Sequence, residues 1–146
     1  MPINFPTSPA SQEIYSFGGY SWQWDGSSWI SVGQTTVEMT KSFTLPSPTN
    51  TDNVTVFYTS KQLTITKILS IVKGTSPSVT FSIRYGSDRS ASGTEVVTSG
   101  ITCTSTTTGV STTSFNNATI PASNFVWLTT SATSGTVDEL GVSIIF

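Results

Sequence analysis

Along much of this chain apolar residues recur at every second position, a spacing that builds strands with one buried face. Val79, Phe81, Ile83 and Tyr85 alternate with Thr80, Ser82 and Arg84 in the clearest instance. Leu140, Val142, Ile144 and Phe146 share one side of another run, and Val37, Met39, Phe43 and Leu45 share a third with Lys41 as the exception. That lysine predicts a strand end or a sheet edge. Further strands are expected over 54–60, 94–98, 110–115 and 125–130. The run 63–72 changes parity between Leu63/Ile65 and Ile68/Val72, which predicts a bulge near Thr66 and Lys67.

Gly, Pro, Asn and Ser punctuate these runs at 46–48, 74–77, 86–88, 99–100, 116–117, 121–124 and 134–135. No stretch of a dozen residues carries helical periodicity with a cap. The chain therefore reads as all-β, with seven or eight short strands forming a β-sandwich over 34–146. The expected variant is an eight-strand jelly roll, whose double-sheet packing shelters its edges.

Composition narrows the chemistry. Serine and threonine fill more than a third of the 146 positions, yet 36% hydrophobic and 11% aromatic content supplies the apolar surface that a disordered chain lacks. A net charge of −2 leaves no basic footprint, so no nucleic-acid partner is expected. No apolar run reaches the roughly 20 residues that span a bilayer, so no membrane partner is expected either. With no histidine and a single cysteine, Cys103, the usual general base and zinc ligands are missing, and no metal or other cofactor is expected.

The first 33 residues differ from the rest. They hold every tryptophan except Trp127, and Pro2, Pro6 and Pro9 keep the start extended. Gly18-Gly19 and Asp25-Gly26 are strong hairpin signals and predict a three-stranded meander. If Asp25-Gly26 is a two-residue turn, Trp22 pairs with Trp29; if the loop runs from Asp25 to Ser28, Trp24 pairs with Trp29. Either register gathers Tyr15, Phe17, Tyr20, Trp22, Trp24 and Trp29 on one face, because paired residues and residues two apart share a side. Ser16, Ser21, Gln23 and Ser28 fall on the other face with Ile30 and Val32. A unit this small rarely folds unaided, so the aromatic face must close, either as a mini-core with the prolines or on a partner chain. The mini-core is preferred, since soluble monomers expose few large apolar patches.

These residues also carry a resemblance. Phe5-Pro6-Thr7-Ser8-Pro9, Tyr15-Ser16-Phe17-Gly18-Gly19 and Trp22-Gln23-Trp24-Asp25-Gly26-Ser27-Ser28-Trp29 resemble a short module that opens virion proteins of tailed phages, particularly those of cyanobacterial and other marine hosts. Gln12 stands where that module usually has glycine, and Tyr20 where it usually has a polar or basic residue. Segments 78–86 and 119–128 look like small β-sandwich domains of phage structural proteins. The resemblance implies a non-enzymatic protein located in the virion, as a capsid decoration or short fibre-type appendage. It implies other virion proteins as partners, a homo-oligomer (by analogy a trimer), and contact with a host surface glycan. The attachment cluster would be Tyr15, Phe17, Tyr20, Trp22, Trp24, Asp25, Gly26 and Trp29.

No catalytic constellation appears. Asp138 and Glu139 are adjacent, and neighbours on a strand point to opposite faces, so a turn or strand-start role is expected rather than paired acid–base work. Asp88 reads as a loop residue and Asp25 as a turn residue. No serine sits in Gly-x-Ser-x-Gly. Cys103 is expected to be a small buried side chain. The competing class is a carbohydrate-binding module using Trp22, Trp24, Trp29 or Trp127, although Trp127 lies in Phe125-Val126-Trp127-Leu128, where both faces are apolar and a core role is expected.

Overall fold

A computed structural model describes residues 3–34 and 39–146. The chain divides into two compact units, Met1–Glu38 and Met39–Phe146. The expected division at 33/34 falls inside a strand of the first unit, which runs on through Gln34. Val37 and Glu38, where a further strand was expected to start, lie outside the described residues.

The first unit is a three-stranded antiparallel sheet, β1 (Ile14–Phe17), β2 (Tyr20–Trp24) and β3 (Trp29–Gln34), in the order β1-β2-β3. The Gly18-Gly19 turn works because both glycines take positive φ, +60° and +83°, which a side chain would disfavour. Phe17 pairs with Tyr20 and Tyr15 with Trp22. Between β2 and β3 the register shifts at Ser21/Trp22, leaving Val32 as the extra residue of a bulge.

The second unit contains β4 (Thr40–Pro46), β5 (Asn53–Thr59), β6 (Leu63–Thr64), β7 (Lys67–Gly86), β8 (Thr94–Glu95), β9 (Ile101–Cys103), β10 (Val110–Thr112), β11 (Thr119–Ile120) and β12 (Asn124–Ile145). Among the described residues every element is a strand. The architecture rests on β7 and β12, 20 and 22 residues long, which pair antiparallel along nearly their whole length. At one end the neighbours run β4, second half of β12, first half of β7, β10. At the other end they run β5, first half of β12, second half of β7, with β8 and β9 beyond.

The punctuation at 74–77 and 134–135 was expected to separate strands. It bends two continuous strands instead, at matching positions. Thr75 faces Thr136 and Gly74 faces Val137, and the register slips on both sides of this point. Gly74, Ser76 and Gly135 all take positive φ here. Such a bend turns one pair of strands into the shared side of two packed layers. Ile68, Val72, Leu140, Val142 and Ile144 from one end join Val79, Phe81, Ile83, Val126 and Leu128 from the other in one hydrophobic core. Each of these fully covered side chains stabilises the fold by roughly 1.5–3 kcal/mol relative to exposure. The unit is β-sandwich-like, as the alternation requires.

Smaller departures have local causes. The expected bulge near Thr66 is a break between β6 and β7. There the Ile65 amide donates to Ala118 and the Thr66 amide to Ile145, so the chain changes partners. Residues 94–98 shorten to β8: the Val96 amide still donates to the Ile83 carbonyl, but its own carbonyl turns away to accept the Asn116 and Asn117 amides. Cys103 is fully buried on β9.

Candidate functional site: the aromatic ribbon

The loop between β2 and β3 resolves the two registers left open by sequence. Trp24 faces Trp29, and the Asp25 amide donates to the Ser28 carbonyl across a four-residue loop. Asp25 organises that loop. Its Oδ1 accepts the Ser28 and Ser27 amides, both at 2.8 Å, and the Ser27 hydroxyl at 3.0 Å, while Oδ2 accepts the Ser28 hydroxyl. Stabilised in its charged form first by the Ser28 amide and then by Ser27, the carboxyl titrates at about 2, below its usual 3.8. Gly26 has φ +105° with open space where a Cβ would stand, so backbone conformation rather than crowding selects glycine.

The cluster Tyr15, Trp22, Trp24 and Trp29 assembles on one face as expected, all four half-buried. Its centre is a residue that strand pattern alone does not place, Phe5. The extended Pro-rich lead-in lays the Phe5 ring against Tyr15, Trp22 and Trp29, with centroids 5.5, 5.3 and 5.3 Å away, the first two edge-on and the third stacked. Trp24 packs on Trp29 at 5.7 Å and Tyr20 on Trp22 at 6.1 Å. The available signal for Phe5 was a large ring between prolines in a segment without a strand of its own. Phe17 and Tyr20 are not covered; they remain 43% and 48% exposed at the rim.

Gln12 occupies the turn where glycine was expected. It adopts the left-handed conformation that glycine favours, φ +65°, and holds it with two bonds. Its amide donates to the Trp24 carbonyl at 3.1 Å, and its Oε1 accepts the Gln23 amide group at 2.8 Å. The reverse face pairs the Ser16 and Ser21 hydroxyls at 2.8 Å and leaves Ile14, Ile30 and Val32 bare at 63%, 46% and 46% exposure.

The remaining candidates lie in the second unit. Trp127 is 1% exposed, but it stands apart from the main core on the outer side of β12. Residues 87–93 strap it down, with the Arg89 guanidinium 4.7 Å above the ring while donating to Asn53 and to Thr55. Asp88 ties the strap by accepting the Ser90 hydroxyl and amide, which hold its carboxyl below the ordinary range. Asp138 and Glu139 sit inside β12 at a bulge, not at a strand start. Among the described residues no three His, Cys, Asp or Glu side chains are grouped so as to hold a metal ion.

No family model, curated protein or solved structure matches this chain.

Proposed function

We propose that this chain is a non-enzymatic structural protein of a phage virion surface, a capsid decoration or short head or tail appendage acting in assembly, stabilisation or host contact. The first unit attaches it to other virion proteins, and the second is the displayed body. One observation carries this reading: among the described residues the first unit contains no fully buried side chain. A sheet of this size holds together poorly on half-covered rings, and a neighbouring protein would complete it. The surfaces offered are the bare Ile14, Ile30 and Val32 on the reverse face and the exposed Phe17 and Tyr20 at the rim of the aromatic face. The resemblance of residues 5–29 to phage modules points the same way.

Strand order supports reading the second unit as a jelly roll in which β7 and β12 each supply two strands, one to each four-stranded layer. Symmetric particle sites favour a homo-oligomer, with a trimer by analogy. Sugar stacking on Trp22, Trp24 or Trp29 is the weaker reading, because those rings already pack against neighbours at 5.3–5.7 Å. Deletion of residues 1–33 tests the assignment: the shortened protein should fold yet be missing from purified particles. Normal incorporation would defeat the attachment role. Copies per particle then separate capsid decoration from an appendage.

A further inference from the structure

On the second unit an open groove of about 490 Å³ crosses the outer face of β7 and β12. Its size lies within the range of small-ligand sites. Two cross-strand pairs form the floor, Ser82 with Thr129 and Arg84 with Trp127. Arg84 is fixed twice, to the Ser92 carbonyl at 2.8 Å and to the Glu95 carboxylate, so the charges of the floor and wall cancel. Asn53 is likewise engaged by Arg89. Thr98 and Ser131 direct their hydroxyls to Asn116 and to the Thr80 carbonyl. For the hydroxyls of Ser82 and Thr129 no protein partner is found among the described residues.

We infer that this groove binds a neutral, hydroxyl-rich ligand, a short stretch of uncharged glycan, through Ser82 and Thr129, with the locked Arg84–Glu95 pair tying floor to wall. An anion is disfavoured because Arg84 is already neutralised. A flat apolar ligand is disfavoured because the Trp127 ring is covered by its strap. A sugar chain offers alternating donors and acceptors that a hydroxyl-lined floor can match without desolvating a free charge. The inference goes beyond the virion reading and does not depend on it.

The test is calorimetric titration of the full chain with uncharged glucan, mannan and N-acetylglucosamine hexamers, alongside sulfated and sialylated oligosaccharides. At least one uncharged hexamer should bind. Ser82→Ala and Thr129→Val should each weaken it about tenfold, the effect of losing one ligand hydrogen bond. Ser99→Arg, at the exposed rim, should block entry without touching the floor. Trp22→Ala should leave binding unchanged. Binding of charged oligosaccharides alone, no binding of any hexamer, indifference to all three groove variants, or loss in Trp22→Ala would each overturn the site. Virion incorporation is read separately, so failure here leaves the attachment proposal standing.

Discussion

Among the described residues Asp25 accepts more hydrogen bonds than any other carboxylate, and all come from Ser27 and Ser28. Its folded pKa of about 2 lies below the ordinary 3.8, so the bonds add stability that is complete above pH 3.8 and lost as pH falls through about 2. Acid titration followed by the Ser27 and Ser28 amide NMR shifts should therefore show a step near pH 2, absent in Asp25→Asn. A step at the ordinary carboxylate pH would contradict the assigned bonds. Trp127 gives a second residue-scale prediction. A Cβ at Gly93, itself at φ +66°, would overlap the indole ring. Gly93→Ala should cost about 1–3 kcal/mol in urea denaturation by forcing the strap off the ring. These two sites were legible to different degrees. Asp-Gly announces a turn in any sequence, whereas the strap over Trp127 depends on Arg89 reaching across to β5, a contact that periodicity does not encode.

At the scale of elements, the corner shared by β7 and β12 decides the architecture. Alternation located the buried faces on both sides of it, because successive side chains of a strand point to opposite faces along every stretch free of bulges. It read the turn residues at 74–77 and 134–135 as two breaks, since Gly, Ser and Pro mark a change of direction without saying whether hydrogen bonding stops. Only the pairing of Thr75 with Thr136 and Gly74 with Val137 shows that the two signals face each other and bend together. The glycines are consequently not equivalent to ordinary turn glycines. At Gly135, φ is +71° and a Cβ would overlap the Ser76 carbonyl oxygen, a backbone atom that cannot swing aside. Gly135→Ala should destabilise the second unit by about 3 kcal/mol or more, combining backbone strain with overpacking. Ser76→Gly, at φ +49°, should change stability by less than about 1 kcal/mol, since relief of strain offsets added freedom in the unfolded chain. Equal effects of the two substitutions in thermal denaturation would mean the corner is not the tight crossing described.

The whole molecule joins two units built on different principles. Met39–Phe146 has a continuous core with Phe81, Ile83, Leu128 and Ile144 essentially sealed, whereas the sheet of β1 to β3 closes its rings with Phe5 and seals none of them. Local opening follows covered contacts, so the two should report separate stabilities. Backbone amides of β1, β2 and β3 should exchange with opening free energies of about 1–3 kcal/mol, against about 5–15 kcal/mol for the central residues of β7 and β12. Fluorescence gives the same partition by another route, because Trp22, Trp24 and Trp29 are half-buried and Trp127 is sealed. Acrylamide should quench most of the native emission, and Trp127→Phe should remove the fraction it cannot reach. If attachment completes the first unit, association with its particle partner should raise protection in β1 to β3 and leave that of β7 and β12 where it was. Protection already equal in the isolated chain would show the small sheet to be self-sufficient, and its bare Ile14, Ile30 and Val32 face would no longer argue for a neighbour.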